Sequence, residues 1–406
     1  MKKLFLILLS FSMLIAANKG LQSLRLKGTV AAYGSAFSNF QSGGQFIPVI
    51  DGGFLPDTSR YIADFEFSAD TYVRYDTVDQ FTPGIRPYRG WVRLAGNQFE
   101  LRLGLQKITF GKAQLLRTLS WFDILDPRDP LGLTTGVFAE RFRYYFPRSN
   151  ANIWLWAIQE DLSTSSFYLP LDHDELRLAS QYGGRVELPL FEGELGLSFN
   201  YKTVSADTLT ISDLTGPGVD ISLYDPLAKR YQYGIDGKWD RGIGVWFEGA
   251  YISERSDFIL FATDAYMTTE IMMFTLGMDY TLNIGNGLMI IAEYMGDVIR
   301  TEVDLGGGED YSITFLNFAG LMLNYPLGIF DSIGLMGFMD MDNTKIYTYL
   351  FWQRQYDNLT LRLSGALTNF DQDATLFPGQ SAGSSLGNMI QLMAIYDFKI
   401  NMIPGR

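Results

Sequence analysis

The fold is decided by the stretch Arg89-Gly-Trp-Val-Arg-Leu-Ala-Gly-Asn-Gln-Phe-Glu-Leu-Arg-Leu-Gly-Leu-Gln-Lys-Ile-Thr-Phe-Gly111, which holds two alternating runs joined by a turn at residues 96–98. Successive side chains of a β-strand point to opposite faces of the sheet. In the second run one face is apolar, with Phe99, Leu101, Leu103 and Leu105, and the other is polar, with Glu100, Arg102, Gly104 and Gln106. The stretch therefore predicts a β-hairpin with one apolar and one charged face.

Alternating runs of this kind recur along the rest of the chain, and about seventeen of them are long enough to cross a bilayer as tilted strands. The connections between them mostly alternate in length. Short turns, such as residues 147–150 and 240–242, separate longer segments. The longer segments cover residues 111–135, 161–176, 204–230, 256–269, 299–310 and 371–387. This alternation is typical of a bacterial outer-membrane barrel, which has short turns on one side and long loops on the other.

The pattern predicts an all-β fold, a transmembrane antiparallel up-and-down β-barrel. An even number of strands returns both chain ends to the same side, so the barrel has 16 or 18 strands. Eighteen is favoured because residues 24–32 alternate like a strand and a weak strand could lie in residues 44–60. The alternative is a soluble β-sandwich or solenoid, which does not explain the alternating connections.

The N-terminus predicts export. Lys2 and Lys3 precede an apolar run over residues 4–17 that is too short for a membrane-spanning helix, so residues 1–17 are interpreted as a signal peptide and residues 18–406 as the barrel. We expect the bacterial outer membrane as location, with outer-membrane lipid and the barrel assembly machinery as partners. The alternating residues 390–398 resemble an assembly signal, and residues 399–406 continue past it. Either the signal is internal or the tail enters the lumen.

Composition excludes several function classes. The formal net charge is −13, which argues against nucleic acid as a partner. The chain has no cysteine and one histidine, so no metal site and no cofactor are expected. That histidine, His173, lies in an acidic loop, and no catalytic residues are predicted. The protein is therefore not expected to be an enzyme.

Positive charge is concentrated in one region. Residues 85–148 hold 11 Lys and Arg but only five Asp and Glu. On neighbouring predicted strands the inward parity is shared by Arg89, Arg93, Arg102, Arg141, Arg143, Arg177 and Arg185. Basic side chains lining a lumen favour anions, and guanidinium groups match carboxylate and phosphate groups. The alternative is that these arginines pair with inward acids such as Glu100 and Glu187 and only hold the wall.

The segment 112–135 follows this hairpin. Apolar residues at 115, 116, 119, 122 and 125 have nearly helical spacing, and Asp126-Pro127 would end such a helix. We expect a short amphipathic element that folds into the lumen and narrows it, or otherwise a surface loop with its own apolar cluster. The candidate constriction residues are Arg117, Trp121, Asp123, Asp126, Arg128 and Asp129.

The run Gly104-Leu-Gln-Lys-Ile-Thr-Phe-Gly111, followed by Trp121-Phe-Asp-Ile-Leu-Asp-Pro127, resembles a pattern in Gram-negative outer-membrane porins related to the alginate-export channels. In that pattern a Gly-Arg-Gln strand leads to a glycine turn and an Asn/Asp-Pro loop, and Leu105 stands here where arginine is usual. The resemblance implies a monomeric barrel of up to 18 strands that passes small or polymeric anionic solutes.

These observations together predict an outer-membrane porin, a passive channel for small hydrophilic, anionic solutes with an arginine-lined lumen. Two alternatives stay open. One is a hydrophobic-substrate transporter with residues 18–56 as an N-terminal plug, which apolar lumen residues such as Met336 and Phe338 would favour. The other is a non-conducting structural or adhesive barrel whose loops carry the function.

Overall fold

The structure is a computed structural model. It describes residues 21–37, 40–55, 59–77, 80–123, 125–161, 178–205, 221–222, 227–260, 263–304, 309–370 and 387–403. The predicted signal peptide, Arg177 and His173 lie outside these residues. Among the described residues, no helix is long and apolar enough to cross a membrane.

The described chain folds into nineteen β-strands. They are β1 Ser23–Phe37, β2 Gln41–Gly53, β3 Ile62–Asp76, β4 Gln80–Ala95, β5 Phe99–Gln106, β6 Val137–Tyr145, β7 Asn152–Asp161, β8 Leu178–Leu190, β9 Gly193–Ser205, β10 Ile221–Ser222, β11 Leu227–Asp240, β12 Gly244–Leu260, β13 Thr263–Leu282, β14 Leu288–Asp304, β15 Glu309–Pro326, β16 Asp331–Asp340, β17 Lys345–Gln355, β18 Leu359–Thr368 and β19 Met389–Ile403.

The strands close into an antiparallel barrel. Strand β10 has two residues and pairs only with the end of β12, so eighteen strands form the wall. Each wall strand pairs with the next one along the chain, and β1 pairs with both β2 and β19. A closed sheet leaves no unpaired edge, which a lipid environment requires. The predicted fold class and the favoured count of eighteen are confirmed.

Three sequence-based expectations need correction. The N-terminal plug of the alternative transporter is wrong for residues 23–53, because β1 and β2 belong to the wall. The predicted loops at 256–269 and 299–310 are largely strand, because inter-strand hydrogen bonding continues past the apolar part of β12 to β15. Residues 399–403 extend β19 along β1, so this part of the tail does not enter the lumen.

The two faces of the wall differ in polarity as predicted. Large apolar side chains are exposed on the outside, including Leu155 at 53% and Leu276 at 55%. Side chains of opposite parity are buried and often polar, and Asn200, Asp236 and Thr275 are each 0% exposed. An apolar outside and a polar inside match a barrel whose outer face meets lipid.

Candidate pore and inner loop

The described residues between β5 and β6, 107–123 and 125–136, fold against the inner face of the wall, and we call them the inner loop. Their backbone is fixed by Glu248 on β12. This carboxylate is 1% exposed and accepts hydrogen bonds from the N–H groups of Lys112 at 2.5 Å, Ala113 at 2.7 Å and Leu119 at 3.0 Å. Because Glu248 shares the inward parity of its strand, these bonds place the loop inside the barrel.

A second wall carboxylate, Glu293 on β14, holds the adjacent part of the loop. It accepts from the backbone N–H groups of Gln114 at 2.7 Å, Leu115 at 2.9 Å and Leu116 at 2.6 Å. The indole N–H of Trp246 donates to the same carboxylate at 3.0 Å. We call Glu248, Glu293 and these loop N–H groups the carboxylate latch.

The loop is also seated by apolar contacts. Leu115 and Leu116 belong to a buried cluster that includes Trp246, Ile291, Met295, Met336, Phe338, Tyr347, Tyr349 and Phe351. Gly320 lies beside them, since an added Cβ there would be 3.4 Å from both leucines, at the limit of ordinary van der Waals contact. The loop therefore covers the apolar inner surface, including Met336 and Phe338, that had favoured the hydrophobic-transporter alternative.

The short helix expected in this segment is wrong, because the described residues of the inner loop contain no helix. A helix satisfies its N–H groups with carbonyl oxygens four residues earlier. Here the N–H groups of residues 112–116 and 119 donate to the two wall carboxylates instead. The near-helical spacing of the leucines reflects contacts with two wall clusters.

Charged residues predicted to form a constriction are mostly paired within the loop. Arg117 contacts Asp123 at 3.1 Å, and Arg128 contacts Asp126 at 2.6 Å. Asp129 accepts from the N–H groups of residues 131 and 133. Burial raises the pKa of Asp129 above its usual range. These groups stabilise the loop conformation, and any role in contacting solute stays a prediction.

Trp121, the remaining candidate, packs edge-on against Phe110 with ring centroids 5.3 Å apart. The neighbouring Phe122 lies 5.5 Å from Trp156 of β7 by ring centroids. Gly234 on β11 accommodates this part of the loop, because an added Cβ would lie 2.7 Å from Leu119. These contacts thus fix residue 110 and residues 119–122 of the loop against β7 and β11.

Four of the predicted arginines come together on the inner face. Arg93, Arg102 and Arg141 lie directly opposite one another on β4, β5 and β6, and Arg143 lies two residues further along β6. We call these four the arginine row. Like charges in directly opposed positions repel, so the row requires local compensation.

Two carboxylates and two indole rings supply this compensation. Glu100 contacts Arg141 at 2.6 Å and both Arg93 and Arg102 at 3.4 Å, and Asp64 pairs with Arg93. The guanidinium carbon of Arg102 lies 4.2 Å from the ring centre of Trp91, and that of Arg143 lies 3.9 Å from Trp154. Four guanidinium groups against two carboxylates leave a local charge of +2.

Two further predicted arginines lie apart from the row. Arg89 donates to the carbonyl oxygen of Thr134 at 3.1 Å and to its hydroxyl at 2.7 Å, which fixes the end of the inner loop. Arg185 is 1% exposed and forms a bidentate pair with Asp236 at 2.6 and 2.9 Å. Both guanidinium groups are engaged in buried networks and are less available to a solute than the row.

The lumen is not basic throughout. At the end with short turns, a cavity of about 400 Å³ is lined by acids and amides, including Asn152, Glu187, Glu194 and Asp240, together with Lys238. Lys112 of the inner loop contacts Glu194 at 2.6 Å. The arginine row therefore lies beside an acidic part of the same lumen.

Sequence reasoning missed the latch glutamates and the indole partners of the row. Strand parity alone places Glu248, Glu293, Trp91 and Trp154 on the inner face. Parity could not show that Glu248 and Glu293 bind a loop more than a hundred residues away in sequence, because that contact depends on how the barrel closes.

A closed eighteen-stranded up-and-down barrel with an apolar outside, a polar inside and an in-folded loop has the architecture of transmembrane barrels of the outer-membrane type. The fold and the site together place the protein in this class.

Comparison with known proteins supports this class by fold. No family model and no curated protein matches the chain. The chain resembles the outer membrane protein OprD from Pseudomonas aeruginosa with 12% identity, a TM-score of 0.50, and coverage of 96% of this chain and 97% of OprD. It resembles OccAB3 from Acinetobacter baumannii with 10% identity, a TM-score of 0.50, and coverage of 93% and 99%.

An anion-selective porin from Comamonas acidovorans also matches, with 15% identity over 93% of this chain and 99% of the porin, but its TM-score of 0.41 supports no argument about ion preference. At these identities the comparisons show the fold alone. They confirm an outer-membrane porin type of fold, and nothing among them links the chain to the alginate-export channels in particular.

Proposed function

We propose that the protein is an outer-membrane porin, a passive diffusion channel for small hydrophilic, anionic solutes, without catalytic residues or a cofactor. The observation that carries the proposal is the arginine row, which keeps a local charge of +2 on the inner face of a closed barrel. Small or polymeric solutes are the ligands in this proposal, and outer-membrane lipid and the barrel assembly machinery are the expected partners.

The charge of the row favours anions for two reasons. Basic groups in a narrow, low-dielectric passage raise the local concentration of anions. Guanidinium groups also bind carboxylate and phosphate oxygens with matched geometry. Arg93 and Arg102 keep 25% and 18% of their side-chain surface exposed, so they remain within reach of a solute.

The inner loop brings solutes close to this charge. Its Phe122 contacts Trp156, and Trp156 lies directly opposite Arg141 in the β6–β7 register. The loop thus approaches the wall within one residue pair of the row. A solute passing beside the loop would enter the field of the guanidinium groups at short range, where screening by salt is weakest.

The alternatives find less support. A hydrophobic-substrate transporter with an N-terminal plug lacks the plug in residues 23–53, and its apolar inner surface is covered by the inner loop. A non-conducting structural or adhesive barrel would leave the arginine row without a function in the lumen.

Planar-bilayer recording of the purified protein tests the proposal. We expect stable conductance steps, and under a KCl gradient a reversal potential on the anion-selective side. A silent protein that is correctly inserted would reject the channel. A channel with a cation-selective reversal potential would keep the porin and reject the role of the arginine row.

A further inference from the structure

The two glutamates of the carboxylate latch have unusual partners for charged wall residues. In the part of the chain that the structure describes, neither Glu248 nor Glu293 has a cation within ion-pair distance. Their oxygens are instead surrounded by six backbone N–H groups of one loop and by the indole N–H of Trp246. Hydrogen bonds to ionised acceptors are about twice as strong as neutral ones.

We propose that Glu248 and Glu293 are positioning residues that set the size limit of the channel by fixing the inner loop at one distance from the wall. The proposal rests on the proposed porin function, since it assigns the residues that determine which solutes pass. It goes beyond that function because neither glutamate faces solute: both are nearly buried, at 1% and 4% exposure.

Both oxygens of each carboxylate accept hydrogen bonds, an arrangement that suits the ionised form. Glu248 Oε1 accepts from residues 112 and 113, and Oε2 accepts from residue 119. Each oxygen of Glu293 has two donors. A glutamine has one acceptor oxygen and one NH₂ donor. Its NH₂ group would oppose backbone N–H groups, so a nearly isosteric substitution must release part of the loop.

Gly111 supports the same interpretation. Its φ is +93°, a conformation that L side chains rarely adopt, and an added Cβ would collide with Glu248 Oε1. The chain therefore has a glycine where the loop backbone passes close to the latch carboxylate.

The test uses Glu248→Gln/Glu293→Gln in the full-length protein, with Glu254→Gln as the matched control. Glu254 is on the same strand and face as Glu248 but pairs with Arg230. Loop position is read from Thr118→Cys, because Thr118 is 3% exposed and the natural chain has no cysteine. A membrane-impermeant thiol reagent should label the introduced thiol about ten-fold faster for each charged hydrogen bond lost in the double variant. The control should leave the rate unchanged.

Size selection is read by vesicle swelling with neutral sugars from monosaccharides to tetrasaccharides. We expect the exclusion limit to rise in the double variant and not in the control. A disulfide provides the rescue: the hydroxyl oxygens of Thr118 and Thr275 lie 2.8 Å apart, so Thr118→Cys/Thr275→Cys can join loop and wall. Oxidation in the latch-deficient background should restore the original limit, and reduction should raise it again.

The possible outcomes separate the two proposals. Equal labelling rates in all variants, or faster labelling without any change in the sugar limit, would overturn the positioning role. A second outcome is a wild-type protein that admits no sugar and carries no current, although labelling still depends on the latch. That result would reject the porin function and the role of the latch in size selection. The latch would then be a loop anchor only. Folded state is checked by heat-modifiable migration, and the oxidised variant preserves the test if the reduced one inserts poorly.

Discussion

The arginine row and the carboxylate latch both consist of charged residues on the inner wall. They differ in the groups that contact those charges. In the row, four guanidinium groups share two carboxylates, so charge remains for the lumen. In the latch, two carboxylates are enclosed by N–H groups of the chain itself. The row therefore leaves a positive electrostatic potential in the lumen, and the latch fixes the position of the inner loop.

The difference comes from the partner that each charge finds. A guanidinium group stacked on an indole, as Arg102 is on Trp91, keeps donors directed away from the ring. Burying a carboxylate without hydrogen bonds costs free energy. The loop N–H groups offset this cost for Glu248 and Glu293, and the two carboxylates in turn satisfy the loop N–H groups. Under the two proposals, selectivity by charge and selectivity by size would therefore depend on separate strands.

Removing the shared carboxylate of the row should have the largest effect. In Glu100→Gln three guanidinium groups lose their common partner, and breaking a buried ion pair costs about 3–5 kcal/mol. We expect the free energy of unfolding, measured by urea titration of tryptophan fluorescence in lipid vesicles, to fall by about this amount. Anion preference should rise at the same time. Glu254→Gln, which removes the more exposed pair with Arg230, should cost less than about 1 kcal/mol. Equal losses in the two variants would mean that the row is not a coupled unit.

Removing charge from the row should have an intermediate effect. In Arg102→Ala/Arg143→Ala the ratio of anion to cation permeability should fall by about five-fold per charge, since two charges about 4 Å apart in water interact by about 1 kcal/mol. Arg255→Ala/Arg300→Ala is the matched control, because those arginines pair with Asp257 and Glu302 on the outward-facing parity of β12 and β14. Reversal potentials distinguish the pairs, and an identical shift in both would reject the row as the source of selectivity.

Strain at the latch should have the smallest effect on stability. Gly111→Ala must accept a positive φ and displace Glu248, whereas Gly132→Ala in the same loop has a φ of +58° and open space around the new Cβ. Backbone strain of this kind costs about 1 kcal/mol in either variant. We expect only Gly111→Ala to raise the sugar exclusion limit. If Gly132→Ala raises it equally, loop strain and not latch contact controls pore size.

Much of the fold could be predicted from the sequence because strand alternation and connection length are local signals. They indicated the barrel, the weak strand β2 and the inward parity of Arg102 and Arg141. The end of β12 and the start of β13 were not predicted as strand, because strand residues beyond the lipid-facing belt need hydrogen bonds but no apolar alternation. The residues at these strand ends lack the alternating pattern, so the sequence alone does not distinguish them from a loop.

The site was harder to predict because its decisive contacts are not local. The inner loop was expected to satisfy its own N–H groups as a helix, and the acids that replace those carbonyl partners lie on β12 and β14. The pairing of Arg93 with Asp64 depends on the register between β3 and β4, which alternation leaves open. Parity can place a side chain inside, but it cannot choose its partner.

The latch also has a consequence for the order of events during folding. Lys112 is 136 residues from Glu248 in sequence, and Gln114 is 179 residues from Glu293. Contacts so distant form late, after the entropy of closing a long segment has been lost. The loop cannot be seated until β14 has joined the sheet, and the last strand must still meet the first. A nascent barrel would therefore hold its widest passage while it is being built and narrow it only near completion.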